Sequence, residues 1–407
     1  MNQKQYSVFS LPVIVGALGL FVDVYDLLLF SIIRKPSLAA LGLRGDEITN
    51  TGEWIISIQM IGLVVGGIFW GVLGDKRGRL NVLFGSILLY SIANIANGMV
   101  HTIPQYIIIR FIAGIGLAGE MGASITLVSE ILPKEKRGIA AAIITSLGVL
   151  GAVLAYEVYN YFQDWRLCYY IGGGIGLLLL LLRVSILESG MYDEVKKTTI
   201  ERGNFFMFFT NKDRFFRYMR GVIIGLPVWY AIGVLITFAD KFGKEMGIAN
   251  VDPGKAVMYQ YFALCFGDLA AGILSNILKS RKKALFTFFI IQGIFTILYF
   301  LQAGGSAERM YWLCAGLGFG SGFSVLYITM SAEQFGTNLR ATAAISIPNM
   351  VRGGLPLILL LFRGIRSLTG HYVSGGWITG IILMAMAVIA AYYTKESFGK
   401  DLNFVET

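Results

Sequence analysis

Long apolar runs broken by short polar loops set the pattern of this 407-residue chain. A bilayer's hydrocarbon core is about 30 Å thick and takes about 20 residues of helix to cross. Runs of that kind fall near 11–33, 54–73, 80–100, 104–131, 138–161 and 165–188. A polar stretch occupies about 189–218, and further runs lie near 219–240, 254–278, 284–302, 309–332, 341–365 and 375–394. The pattern predicts an all-α membrane protein of twelve transmembrane helices. Residues 1–188 and 219–407 would form two six-helix halves, joined by a linker at 189–218.

Composition agrees with the pattern. Only 14% of the residues are charged and 56% are hydrophobic, whereas a soluble domain carries about 25% charged residues. The 50 glycines suit close backbone approach between packed membrane helices. The first apolar run, from Leu11, continues through a full span, so no cleavable signal peptide is expected. A net charge of +9 invites a nucleic-acid reading, but the basic residues sit in short loops between apolar runs. No nucleic-acid partner is expected. Cys168, Cys265 and Cys314 lie inside apolar segments without disulfide or metal-ligand spacing. His101 and His371 fall in loops, so neither a metal site nor a membrane histidine relay is expected. No nucleophile–base constellation stands at membrane depth, and the short loops leave no room for a catalytic domain. An enzyme and a receptor-like sensor are both disfavoured. The partners expected are a small-molecule substrate, protons and the lipid bilayer, with the chain working as a monomer and without a cofactor.

Loop charges set the orientation. Of 34 lysines and arginines, the segments on the side of the N-terminus hold 21 and those on the opposite side 10. Both termini are therefore expected in the cytoplasm of a cell whose inner membrane holds the protein. The two halves also echo one another. Gly71-Val72-Leu73-Gly74-Asp75 ends helix 2, and Gly272-Ile273-Leu274-Ser275-Asn276 ends helix 8. Glu130 and Arg137 follow helix 4 with the spacing that Glu333 and Arg340 show after helix 10. Parallel repeats of this kind are the organisation of a rocking carrier.

The segment Gly71-Val72-Leu73-Gly74-Asp75-Lys76-Arg77-Gly78-Arg79 closely resembles the loop 2–3 signature of the major facilitator superfamily. Arg110-Phe111-Ile112-Ala113-Gly114-Ile115-Gly116 on helix 4, Glu130-x-x-Pro133-x-x-x-Arg137-Gly138 after it, and Glu333 to Thr342 in the second half resemble its sugar-porter, organic-ion and metabolite–proton symporter branches. The resemblance implies that Asp75, Arg79, Glu130, Arg137, Glu333 and Arg340 form a cytoplasmic gating network. Helix 5 lacks the Gly-Pro-x-x-Gly-Gly pattern of drug–proton antiporters, and helix 7 lacks the glutamine-rich signature of sugar porters. Metabolite–proton symport is the nearest branch.

Charges at bilayer depth are costly, at least ~2.5 kcal/mol on insertion scales, and mark function. Asp23 and Asp26 lie about one turn apart on one face of helix 1. Given the helix 1–helix 4 neighbourhood that the resemblance implies, Asp26 and Arg110 lie at similar depth and could form a proton-coupling pair or a structural salt bridge. Glu120 on helix 4 is either a further coupling carboxylate or a buried structural group. Arg352 on helix 11, beside Asn349, suits a substrate carboxylate because its guanidinium is a planar donor fork. The competing reading pairs Arg352 with Asp268 on helix 8. Tyr25, Trp229, Tyr230 and Tyr327 are candidate aromatic contacts, with Trp229 and Tyr230 favoured over Tyr25. The leading expectation is proton-coupled symport of a small organic anion or related polar metabolite by alternating access. The alternative is a proton-driven exporter of a drug or of a metabolite such as a carboxylate siderophore.

Overall fold

The computed structural model describes residues 11–77, 79–120, 134–188, 205–336, 338–399 and 406. Among these, ten helices are long and apolar enough to cross a membrane. Arg79–Gly98 and Ile103–Leu117 supply two more, which gives a twelve-helix architecture. The face where the chain enters span 1 is called the near face here, and the face where span 1 ends the far face.

Spans 1 and 2 are longer than hydropathy predicts. Span 1 runs Leu11–Ala40 and span 2 Asp46–Arg77, so both project beyond the hydrocarbon core on the far face. The reason is local. Asp46 and Glu47 in the first turn of span 2 suit the positive end of the helix dipole, and polar residues carry the helix into water. Span 7 likewise starts early, at Lys212, with Asn211 accepting hydrogen bonds from the Asp213 and Arg214 amides as its N-cap. Its first turns, and the short helix Met207–Thr210 before it, lie inside the stretch read as linker.

Two spans are irregular at depth. Span 7 passes from α-helix (Lys212–Tyr230) into a π-helical segment, Ala231–Ile236. Span 10 is broken between Ala307–Gly320 and Ser324–Glu333 by a 3₁₀ turn, Ser321–Phe323. Non-helical backbone at membrane depth survives only when other groups satisfy it. In span 7, Thr237 Oγ1 donates to the Ile232 carbonyl at 2.7 Å and Tyr299 Oη to the Leu235 carbonyl at 2.9 Å.

Span 1 packs against span 5 (Lys134–Val149 and Gly151–Phe162) and span 6 (Trp165–Glu188), and span 3 (Arg79–Gly98) against span 4 (Ile103–Leu117) and span 6. Span 2 packs against both span 4 and span 11 (Arg340–Gly353 and Leu355–Thr369), and span 8 (Pro253–Ile277) against both span 10 and span 5, while span 12 is Tyr372–Tyr393. The 2–11 and 5–8 pairs are thus the seams between the first six spans and the last six.

Candidate functional site

From Leu20 to Phe30 every residue of span 1 except Phe21 is buried. The span is enclosed by protein rather than lipid, which is what lets it hold two carboxylates. Asp23 and Asp26 are both fully buried, yet their surroundings differ.

Asp23 faces across a seam. Its Oδ2 lies 3.6 Å from Nη1 of Arg352 on span 11, and both side chains are almost wholly withdrawn from solvent. Glu120 is also fully buried, and its charge reaches Asp23. Tyr261 of span 8 and Tyr327 of span 10 lie within the field of the Arg352 guanidinium. The centre therefore gathers Arg352 and Asp23, with Glu120 on the Asp23 side and Asp268 near the two phenols, and is built from both sets of six spans.

Asp26 faces inward among the first six spans. Arg110 Nη2 donates to the Asp26 main-chain carbonyl at 3.2 Å, and its guanidinium lies over the rings of Phe30 and Tyr169 at 5.8 and 5.7 Å. Its charge and the Asn94 side chain both act on the Asp26 carboxylate. Expected partners are thus near neighbours, but Arg110 is anchored to backbone and aromatic rings rather than in a direct ion pair with the carboxylate. Gly172 of span 6 makes room for this group, since a Cβ there would stand 2.5 Å from Asp26 Oδ1.

The competing pairing of Arg352 with Asp268 does not hold. Arg352 pairs with Asp23, not with Asp268. Asp268 instead accepts a 2.6 Å hydrogen bond from Ser324 Oγ, where span 10 restarts after its break. The Val325 amide and Thr145 also face this carboxylate, so Asp268 meets span 10 at its restart rather than the guanidinium. Tyr25 and Tyr230 also point elsewhere. Tyr25 Oη donates to the Cys168 carbonyl on span 6 at 2.9 Å, and Tyr230 Oη to the Gly376 carbonyl on span 12 at 2.7 Å. Both are buried packing groups. Trp229 is buried on span 7. Asn349 spends its amide protons on the Ala118 and Ile345 carbonyls at 2.8 and 2.9 Å, which ties span 11 to the end of span 4.

On the near face, Glu333 takes part in a network, accepting from Arg281 Nη2 at 3.3 Å and Ser397 Oγ at 2.6 Å. Arg340 begins span 11. Glu130 and the side chains of Asp75, Arg79 and Arg137 lie outside the described residues.

The far face holds an array that loop charges alone did not single out. Lys35 pairs with Asp240 at 2.7 Å, Lys241 with Asp46 at 3.3 Å, and Arg363 with Glu53. Arg34, fully buried, donates to the Thr237 carbonyl at 3.2 Å and lies 4.5 Å from the centre of the Phe238 ring. Each contact joins one of the first two spans to the second six-span set, so the far face is latched. The sequence signal was present as Arg34-Lys35 and Asp240-Lys241, but no spacing rule relates residues that meet only through helix packing.

A model of the major facilitator superfamily matches residues 17–353. The chain belongs to the major facilitator superfamily. Members are membrane transporters rather than enzymes, and this chain is accordingly a multi-pass transporter of small organic substrates. A niacin transporter of Acinetobacter baylyi is 26% identical, over 86% of this chain and 87% of its own. A cis,cis-muconate transport protein of the same organism is 25% identical, over 93% and 92%. A crystal structure of a D-xylose–proton symporter superposes with a TM-score of 0.68 at 19% identity, covering 96% of this chain and 99% of that one. The last likeness bears on fold.

Proposed function

We propose that this transporter imports a small organic anion together with a proton, by alternating access, with both termini in the cytoplasm. The Asp23–Arg352 pair carries the reading. A buried arginine held by a carboxylate from the opposite helix set is an anion site that contains its own competitor. Protonation of Asp23 releases the guanidinium, whose two-donor fork then fits a substrate carboxylate. Loss of the proton re-forms the pair and expels the anion. Substrate and proton would thus bind together and leave together. Breaking a buried pair without replacing it costs about 3–5 kcal/mol, so an empty carrier with Asp23 protonated is disfavoured and uncoupled cycling is suppressed. Asp26, with Arg110 beside it, is a second proton site one turn further along span 1, turned toward the interior of the first six spans. Glu120 adds negative charge near Asp23.

Niacin and muconate, named for the two relatives, are a pyridine carboxylic acid and a dicarboxylic acid, which fits an arginine-centred site flanked by Tyr261 and Tyr327. Asp75, Arg79, Glu130, Arg137, Glu333 and Arg340 would gate the cytoplasmic side. The test is uptake of radiolabelled nicotinate, benzoate and muconate by proteoliposomes under an imposed inward proton gradient. Accumulation of one of them that collapses with a protonophore is expected. Transport indifferent to the gradient, or driven equally by sodium, would overturn the coupling.

A further inference from the structure

Asn94 and Asn97 lie three residues apart on span 3, both fully buried. Neither amide meets hydrogen-bond geometry with a partner among the described residues, and the same holds for Ser91 Oγ one turn earlier. Buried polar atoms are almost always satisfied, commonly by ordered water where the site is polar and offers two or more partners. Neighbouring contacts place this row. Ser91 packs on Gly176 and Ile95 on Gly173 of span 6, while Tyr90 packs on Gly116 of span 4. Asn94 and Asn97 therefore line the seam between spans 4 and 6, and Asn94 reaches the Asp26 carboxylate. Asn97 stands beside Gly98, whose carbonyl accepts from Arg166 Nη1 at 2.8 Å at the far-face end of the span. Beside the row, Tyr106 and Tyr169 share a 2.6 Å hydroxyl contact and Tyr106 donates to Ser37 Oγ at 3.4 Å.

We propose that Asn94 and Asn97 are positioning residues for proton transfer, holding a short file of water between the far face and Asp26. The inference rests on Asp26 being a proton site. A proton passes from a held water to Asp26 Oδ, that water regains one from its far-face neighbour, and the amides remain neutral throughout. Asn94 serves both states of the carboxyl, donating N–H to the anion and accepting O–H from the acid through its carbonyl. The titratable and charged groups around the path are Asp26, Asp23, Arg110, Tyr25, Tyr106 and Tyr169, with Tyr90 on span 3, Cys168 on span 6 and Arg166 at the far-face end. Arg110 places a fixed positive charge beside Asp26, which disfavours a metal cation entering in place of the proton.

Two measurements decide. Hydroxyl-radical footprinting of the detergent-solubilised protein reads water next to buried side chains and needs no substrate. Tyr169 and Tyr106 are buried, yet should be oxidised readily in the wild type. In Asn97→Leu their oxidation should fall by about tenfold, a difference of ~1.4 kcal/mol in effective barrier. In proteoliposomes with nicotinate as probe, Asn94→Leu and Asn97→Leu should keep exchange of internal for external label and lose proton-driven accumulation, and Asn97→Ser should restore it. Tyr169 untouched in the wild type would overturn the proposal, as would normal accumulation by both leucine variants. Loss of exchange and accumulation together, with protein retained in the membrane, would mark a purely structural role and overturn it too. Wild-type accumulation that ignores a protonophore would instead refute proton coupling, while footprinting still decides the water file.

Discussion

Asp23 and Arg352 form an ion pair across the seam between the two helix sets, from spans 1 and 11, at 3.6 Å. Arg352→Ala leaves the buried Asp23 without its counter-charge and should destabilise the protein by about 3–5 kcal/mol. The double variant Asp23→Ala/Arg352→Ala should recover most of that stability and none of the transport. Asp268→Ala should not rescue Arg352→Ala, because Asp268 serves Ser324. Thermal melting in detergent, with and without nicotinate, checks all three. Rescue by Asp268→Ala would show the wrong carboxylate has been assigned.

Arg352→Lys separates charge from geometry. A lysine can still neutralise Asp23, so stability should change by less than about 1.5 kcal/mol, but it lacks the planar fork that grips a carboxylate. The affinity for an anionic substrate should fall by about tenfold or more, which corresponds to ~1.4 kcal/mol. Unchanged affinity in the lysine variant would remove Arg352 from substrate recognition.

The far-face latch should shift the conformational balance when cut. Exposed pairs such as Lys241–Asp46 contribute about 0–1 kcal/mol each, so Lys241→Ala alone should do little. Glu53 is almost completely buried against Arg363, and Glu53→Gln should have the largest effect. A cysteine placed at the buried Ser37 reports far-face opening through an impermeant maleimide. Its labelling should accelerate by about fivefold in Glu53→Gln, the equivalent of ~1 kcal/mol. Equal labelling in all variants would mean these pairs do not hold the face shut.

Hydropathy made the twelve-span architecture legible because each span crosses the same hydrocarbon thickness and must be apolar over most of its length. The same signal could not place helix ends that project into water, which is why Arg34, Lys35, Asp46 and Glu53 read as loop or boundary charges. Depth along a helix singled out Asp23, Asp26, Asp268 and Arg352 correctly as buried charges. Depth says nothing about azimuth, so Asp268 and Arg352 looked like natural partners until helix packing turned Asp23 toward the guanidinium and Ser324 toward Asp268. Asn94 and Asn97 are not legible as a site in the sequence, because two isolated polar residues leave span 3 apolar overall and, unlike a charge, a neutral amide at depth is not by itself a mark of function. Their significance comes only with the assembled helices, which bury both amides, set Asn94 against Asp26 and leave Asn97 without hydrogen-bond geometry to any described residue.

On the near face Glu396 accepts hydrogen bonds from Ser280 Oγ and from the Arg281, Lys282 and Phe398 amides, and this cluster should show an acid dependence of its own. Burial alone would push the Glu396 carboxyl up, but hydrogen bonds from Ser280 and from the Phe398, Arg281 and Lys282 amides outweigh it and hold the group at about 2, against an ordinary 4.5. A carboxyl depressed in the folded state contributes stability that is fully present above about 4.5 and is lost as pH falls toward the folded value. Glu396→Gln removes that titration, so its melting temperature should decline less than the wild type's between pH 5 and roughly 2.5. Parallel melting curves over that window would show that the cluster does not contribute.

The last expectation concerns Asp26. Asp26→Asn fixes the side chain in a neutral, protonated-like form while keeping its shape beside Gly172 and Asn94. A symporter must release its proton inside before the empty carrier returns, so a permanently neutral site blocks the reset and leaves the loaded step available. The variant should therefore bind substrate and exchange internal for external label, yet fail to accumulate it against a gradient. A structural role predicts a different outcome. Removing the charge beside Arg110 would loosen spans 1 and 4, and binding, exchange and melting temperature would fall together. Proteoliposomes preloaded with unlabelled nicotinate measure exchange, and empty ones under an imposed proton gradient measure accumulation. Full accumulation by Asp26→Asn would leave Asp23 as the sole coupling site, and Asp23→Asn would then be expected to abolish coupling while freeing Arg352 for the anion.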